Sequence, residues 1–343
     1  MTINILLADD SSLVRQLIGD ILHASCDIRV IGCACNGRDA VDMTLALRPD
    51  LVIMDLLMPV LDGIGAIEEI MACSPTPVLV LSAAAEATEV DRAFNAIKRG
   101  ALDVMEKPAL DSTWALDDFA RRLLEKVRLL SGIRVIRHPR WKPRDESALP
   151  SGPKGLSPNL LAIGASTGGP KAVMSLLKSL PADFNATVFI VQHIAEGFTE
   201  GFASWLNREC ALPVRLAVDA ARYGPGEALV APNGSHLTVS DGRTRLTRGA
   251  PVNCCRPSID VFFDSLARGS CAQVVSLLLS GMGKDGAQGL LRIRERGGRT
   301  LVQDESSCAV FGMPKAAIHL RAADEVLSID SMPAAISRLF AVP

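Results

Sequence analysis

INILLADDSSLVRQLIGDILHA, residues 3–24, places one strand pattern directly before one helix pattern. Residues 3–8 are a β-branched and leucine run, apolar on both faces of an extended chain, and the run ends on Asp9 and Asp10. Ser11 or Ser12 can then cap a helix whose apolar positions, Leu13, Val14, Leu17, Ile18, Ile21 and Leu22, recur at the 3.6-residue period.

The same unit repeats outward from this stretch. IRVIGC (28–33) is a second strand, followed by a helix from about Gly37 to Leu47; DLVIMD (50–55), PVLVLS (77–82) and ALDVMEKP (101–108) are the next three. A last helix carries Leu116, Phe119, Leu123, Leu124 and Val127 on one face. Five β–α units with strands apolar on both faces imply a parallel sheet covered by helices on each side, a (βα)5 domain.

Residues 131–158 break the rhythm, with five prolines and six Lys/Arg against two acids. This reads as a basic, proline-stiffened linker; a DNA-binding tail would need more basic residues and a partner fold. From Asn159 a second α/β pattern begins: LLAIGAS (160–166), a helix to about Leu180, ATVFIVQH (186–193), and a helix through Phe202 and Leu206. Shorter extended pieces lie at 213–218, 227–232, 236–240 and 244–248, with an antiparallel hairpin region expected near 228–247. A helix from about Ser258, the strand AQVVSLLLS (272–280), a helix from about Asp285 and the strand RTLVQ (299–303) complete a doubly wound, mostly parallel domain. The expected organisation is a first domain at 1–125, a linker at 126–158 and a second domain at 159–343.

The 343 residues suffice for two cores, and aromatics at 4% imply that those cores are aliphatic. A formal net charge of -2 argues against general attraction to nucleic acid or membrane surfaces. The N-terminal MTINILLADDSS lacks the basic and long apolar regions of a secretory leader, and no 18-residue apolar run marks a membrane span. Nine cysteines without paired CxxC spacing read as reduced thiols, so a cytoplasmic location is expected.

Asp9, Asp10 and Asp55 fall at strand ends, as do Ser82 and Lys107, so all five groups should meet in the crevice at the carboxyl edge of the first sheet. Clustered carboxylates repel unless a cation joins them, and a hard ion such as Mg²⁺ suits oxygen donors. A carboxylate there can accept a phosphoryl group, with the metal and an ammonium offsetting its charge. ADD (8–10), MDLLMPVLDG (54–63), LSA (81–83) and EKP (106–108) resemble, in order, the CheY-like response-regulator receiver. The resemblance implies Asp55 as phospho-acceptor, Mg²⁺ on Asp10, Asp55 and the Leu57 carbonyl with Asp9 in support, Ser82 as switch hydroxyl and Lys107 as the paired cation. Val104 stands where receivers often carry an aromatic residue.

Gly164-Ala165-Ser166-Thr167-Gly168-Gly169-Pro170 lies between an apolar strand and a helix and fits G-x-S-x-G. Alone, such a turn serves a serine nucleophile or a nucleotide phosphate equally well, although no G-x-G-x-x-G is present. A nucleophilic serine needs a base and an orienting acid. His193 ends the next strand, at the same sheet edge as Ser166; Asp285 in SGMGKDGAQG (280–289) follows another apolar strand and could also cap the helix after it. GASTGG, VQHI, RPSID, SGMGKDGA and FGMPKAAI together closely resemble the CheB family of chemotaxis methylesterases.

That resemblance implies Ser166 as nucleophile, His193 as base and then acid, Asp285 as orienter, and Thr167 with the Met282 N–H at the oxyanion. It further implies hydrolysis of glutamyl methyl esters on methyl-accepting chemoreceptors, deamidation of receptor glutamines, no cofactor in the esterase site, and a CheA-type histidine kinase as phosphodonor. An unphosphorylated receiver covering the cleft is expected from the same source. QHIAEGFTEGF (192–202) departs from the family's usual stretch at the cleft rim. Two other readings are a receiver joined to a nucleotide-binding domain and a non-catalytic signalling adaptor.

Overall fold

β1 (Ile3–Ala8), β2 (Ile28–Ala34), β3 (Leu51–Asp55), β4 (Val78–Ser82) and β5 (Asp103–Glu106) form a parallel sheet in the order β2-β1-β3-β4-β5. The computed structural model describes residues 2–83, 87–108, 113–133, 159–269 and 273–341. The chain separates into two compact units, Met1–Pro153 and Lys154–Pro343.

In the first unit, helices α1 (Ser12–His23), α2 (Gly37–Leu47), α3 (Gly63–Cys73), α4 (Ala87–Arg99) and α5 (Thr113–Leu130) alternate with the strands. Ser11 is the α1 cap, its side chain accepting the Val14 N–H. Ile5, Leu7, Ile53 and Leu81 pack against Ile18, Leu22, Phe119 and Leu123, so the apolar stripes meet the sheet as their spacing demands. The expected boundary at 125 cuts α5, which continues to Leu130 because Val127 and Leu130 are fully buried in that core. Each such burial is worth roughly 1.5–3 kcal/mol. Of the linker expected at 126–158, residues 126–130 belong to α5, and residues 134–158 lie outside the described ones.

The second unit is a seven-stranded, all-parallel sheet in the order β14-β13-β12-β6-β7-β9-β8. Its strands are β6 (Leu160–Ala165), β7 (Thr187–Gln192), β8 (Val214–Leu216), β9 (Glu227–Val230), β12 (Val274–Leu278), β13 (Arg299–Gln303) and β14 (Glu325–Leu327). Helices α6 (Gly169–Lys178), α7 (Thr199–Glu209), α8 (Ile259–Ala267), α9 (Ala287–Glu295), α10 (Met313–His319) and α11 (Met332–Phe340) accompany them. The antiparallel region is narrower than 228–247: among the named strands of the described residues, β10 (His236–Ser240) and β11 (Arg243–Thr247) pair that way. β9 instead joins β7, because Ala228, Leu229 and Val230 are apolar and buried beside it.

The core of the second unit is mainly aliphatic, with phenylalanines set into it. Its few aromatics are concentrated inside: Phe189, Phe262 and Phe263 are fully buried in the core, and Phe189 meets Tyr223 edge-on at 4.9 Å between ring centroids. Among the described residues, no helix is long and apolar enough to cross a membrane.

In this sheet the chain leaves β6 toward β7 on one side and returns to β12 on the other. The crevice at the carboxyl ends of β6, β7 and β12 is therefore the switch point, where open α/β sheets bind ligands.

Candidate active site and phospho-acceptor site

β6 and β7 run in register with Ala165 opposite Gln192, so Ser166 and His193 are the first residues past neighbouring strand ends. The His193 N–H donates to Ala165 O at 2.9 Å. Gln192 Nε2 donates to Ser166 O at 2.8 Å and His193 O at 2.9 Å, locking the two strand exits together. Small residues are needed around this turn. Gly168 has φ 76° and a Cβ there would lie 2.4 Å from Ala309 Cβ; at Gly169 it would lie 2.3 Å from Gln192 Oε1.

Asp285 reaches the same place from the loop after β12, and it is 2% exposed. Its Oδ2 accepts from His193 Nε2 at 3.0 Å and from Ile259 N at 2.7 Å. Its Oδ1 accepts from Ser258 Oγ at 2.8 Å, Asn253 Nδ2 at 2.9 Å and Asp260 N at 3.2 Å. The expected cap of the following helix is not made: Gly286 is the N-cap of α9, with no side-chain cap, and Asp285 instead serves the N-terminus of α8. Burial raises the Asp285 carboxyl, but the hydrogen bonds and charge of His193 and the bonds from Asn253 and Ile259 outweigh it, holding the group below the usual carboxylate range.

An ionised Asp285 accepts, so the neutral imidazole carries its proton on Nε2 and leaves the Nδ1 lone pair for base chemistry. That lone pair faces Cys255 Sγ at 3.7 Å. Ser166 is adjacent through the backbone, yet its Oγ makes no hydrogen bond among the described residues. Such contacts often tighten only when substrate is bound.

The third wall is the loop after β12. Ser166 N donates to Ser280 O at 3.0 Å, and Ser280 Oγ donates to Thr167 O at 2.8 Å. Gly281 lies so close that a Cβ on it would sit 2.6 Å from Ser166 Cβ. The next N–H, that of Met282, makes no hydrogen bond among the described residues. Thr167 is buried and Met282 is exposed.

Three participants escaped the sequence reading. Ser258 lies within RPSID, where the sequence marks only a helix start. Asn253 and Cys255 have no signal in spacing, being 32 and 30 residues from Asp285. Asn253 and Cys254 adopt φ 51° and 62°, and Val252 and Cys255 exchange backbone hydrogen bonds of 3.1 and 2.9 Å across them. This tight turn of two left-handed residues brings Asn253 and Cys255 to the imidazole and the acid. Of the other histidines, His236 is buried between Ala250 O and the Ser258 N–H, a structural role. His138 lies outside the described residues.

In the first unit, Lys107 Nζ lies 2.8 Å from Asp9 Oδ2 and 3.0 Å from Asp55 Oδ1. Ligand oxygens of Asp9, Asp10 and Asp55 all fall within 4.8 Å of one another. Asp10 and Asp55 border a cavity of about 230 Å³ that Leu57, Ser82, Arg92 and Lys107 also line. Burial pushes the Asp55 carboxyl above the usual range, opposed by Lys107. Burial lowers the Lys107 ammonium, but Asp9 and Asp55 more than offset it and raise it.

An all-oxygen, acid-rich donor set fits a hard divalent cation, consistent with Mg²⁺ in a receiver. Ser82 is buried at the cavity edge with Oγ 3.3 Å from Ala83 O. Val104, paired with Val80, is buried in the place expected for an aromatic. Arg92, on α4, is a cation in this cavity that the sequence reading did not anticipate.

Comparison with known proteins shows the family of each unit. Residues 161–336 match the CheB methylesterase family and residues 5–114 the response regulator receiver domain. The chain is 44% identical over 337 residues to protein-glutamate methylesterase/protein-glutamine glutaminase 2 of Anaeromyxobacter dehalogenans (strain 2CP-C), covering 98% of this chain and 97% of that protein. A protein of the same name from Pseudomonas aeruginosa (strain PAO1) is 39% identical, with 98% and 96% covered. The crystal structure of the Thermotoga maritima CheB methylesterase catalytic domain matches with a TM-score of 0.52 at 34% identity, covering 54% of this chain and 100% of that one. With the serine, histidine and acid at one sheet edge and likeness to such relatives over nearly its whole length, this chain belongs to the CheB methylesterase family and carries a response-regulator receiver at its N-terminal end.

Proposed function

We propose that this protein is a phosphorylation-activated protein-glutamate methylesterase that also deamidates glutamine, acting on methyl-accepting chemoreceptors in the cytoplasm. The observation that carries the reading is the convergence of Ser166, His193 and a fivefold hydrogen-bonded Asp285 at one sheet edge. Ser166 Oγ attacks the γ-carbonyl carbon of the methyl ester while His193 Nδ1 takes the hydroxyl proton. Asp285 holds the imidazole and stabilises its positive charge. The carbonyl oxygen, now an anion, is met by the Met282 N–H, with Thr167 beside it.

Collapse breaks the C–O bond, and the departing methoxide takes the proton from His193 as methanol. Water, deprotonated by the same imidazole, then cleaves the acyl-enzyme to glutamate and restores Ser166. A glutamine substrate follows the same course with ammonia as leaving group. A nucleotide-binding reading is disfavoured by His193 and Asp285, which a phosphate turn does not need.

The receiver half takes a phosphoryl group on Asp55 from a CheA-type histidine kinase. Asp10, Asp55 and the Leu57 carbonyl would hold Mg²⁺, with Asp9 in support, and the ion would offset charge on the phosphoryl oxygens. Lys107 does the same from the other side, and Ser82 is placed to bond a phosphoryl oxygen. The domain reading is a receiver followed by a linker within 131–158 and a catalytic domain from 159.

The test is methanol release from methylated receptors, with and without a phosphodonor. Wild type should be stimulated by the donor, Asp55→Asn should not, and Ser166→Ala should release none. Release by Ser166→Ala at the wild-type rate would remove the serine mechanism.

A further inference from the structure

We propose that His193 and Cys255 form an inhibitory site for a thiophilic divalent cation such as Zn²⁺, which shuts the hydrolase by occupying the base nitrogen. The inference rests on the esterase reading above for its consequence, but not for its geometry. Nε2 of His193 is committed to Asp285 at 3.0 Å, so Nδ1 presents a lone pair. Cys255 Sγ lies 3.7 Å from it, and the thiol proton has a nearer acceptor in Asn253 O at 3.3 Å. Two soft-metal donors therefore face each other with no proton required between them.

Their separation is the bite of a tetrahedral zinc ion. Zn–N of about 2.0–2.1 Å and Zn–S of about 2.3 Å, at a tetrahedral angle, put N and S about 3.6 Å apart. A ligand histidine usually donates its other ring N–H to a carboxylate, and Asp285 already holds that place. Ligand atoms of His193, Cys255 and Asp285 all lie within 4.8 Å of one another.

On binding, Cys255 loses its proton to solvent, the sulfur–metal and nitrogen–metal bonds form, and water or substrate oxygen completes the coordination. With Nδ1 metallated, Ser166 has no base.

The experiment uses the full chain and Co²⁺ as a spectroscopic probe, with Zn²⁺ titrated into the methanol-release assay in parallel. A thiolate-to-cobalt charge-transfer band should grow to one equivalent, and hydrolysis should be lost over the matching Zn²⁺ range. Cys255→Ser should lack the band. Relative to its own metal-free rate, it should need more than the roughly 10–100-fold extra metal that loss of an outer-sphere partner costs. Cys254→Ser should keep both effects, which separates this site from the exposed cysteines; the receiver acids bind without a thiolate band. A band that survives in Cys255→Ser, or equal Zn²⁺ sensitivity of that variant, overturns the proposal. If the metal-free wild type released no methanol, the esterase reading would fail while the band still decided the metal site.

Discussion

Asp260 and Asp285 are two buried carboxylates joined by a single amide: Asn253 Nδ2 donates to Asp260 Oδ2 at 2.8 Å and to Asp285 Oδ1 at 2.9 Å. Their protonation is driven apart. Burial, with Asp285 nearby, raises the Asp260 carboxyl despite its bond from Gly289 N, whereas the donors around Asp285 hold that group low. Asp285 thus stays ionised beside His193.

Asn253→Ala removes both donors and leaves two buried acceptors short of a partner, at a cost of about 1–3 kcal/mol. The left-handed φ of 51° adds strain for alanine that asparagine tolerates better. Asn253→Gly separates the two effects, since glycine relieves the strain but restores no hydrogen bond. Denaturant unfolding of the catalytic unit should therefore rank wild type above the glycine variant and that above alanine. Methanol release should fall in both; equal activity in all three would show that the amide does not support Asp285.

Asp285→Asn should lower kcat by roughly 10⁴-fold, the usual penalty when the orienting acid of a serine triad is neutralised. The stability consequence has a definite sign. Because the folded-state Asp285 is held below its unfolded value of about 3.9, its contribution is full above that pH and is lost as pH falls through the folded value. The stability gap between wild type and Asp285→Asn should be widest near neutrality and narrow under acid. A gap independent of pH in denaturant melts would mean that ionisation of Asp285 does not stabilise the fold.

How much of this was legible beforehand follows from the length scale of each signal. Strand ends carry their own punctuation, so Asp9, Asp55, Lys107, Ser166 and His193 could be placed at sheet edges from apolar runs alone. Parallel pairing then set Ser166 beside His193 without any side-chain information. Asn253 and Cys255 were invisible because a turn of two left-handed residues, not a run or a period, delivers them. The role of Asp285 at the N-terminus of α8 was missed for a related reason. A cap is read from the helix that follows in sequence, and this carboxylate serves one that precedes it. The end of α5 lies past 125 because Val127 and Leu130 continue its apolar stripe.

Gly281→Ala should leave the fold intact and damage catalysis. A Cβ at this position would sit 2.6 Å from Ser166 Cβ and 2.7 Å from the Met313 methyl carbon. The methionine end can move, but the serine turn is held by Ser166 N to Ser280 O and by Gln192 to Ser166 O. Displacing the nucleophile by a fraction of an ångström to 1 Å costs up to about 10²-fold in rate. Thermal unfolding near that of wild type together with a kcat loss of this order is the expected pair of results. An unchanged kcat would show that the turn absorbs the methyl group.

Lys107→Met should shift the pH dependence of Asp55 phosphorylation. Only the ionised carboxylate attacks a phosphodonor, so the rate falls as pH drops through the Asp55 value. Burial already places that value above the ordinary range of about 3.9, and the Lys107 ammonium 3.0 Å away is the main opposing influence. Removing the ammonium leaves burial opposed by the Leu56 N–H alone, so the acid limb of acetyl phosphate labelling should move to higher pH. At the plateau the rate should also fall by roughly 10²–10³-fold, the typical cost of losing one donor aimed at developing charge. Labelling measured at fixed Mg²⁺ across pH separates the two effects. An acid limb that stayed in place, or moved to lower pH, would show that Lys107 does not set the ionisation of Asp55.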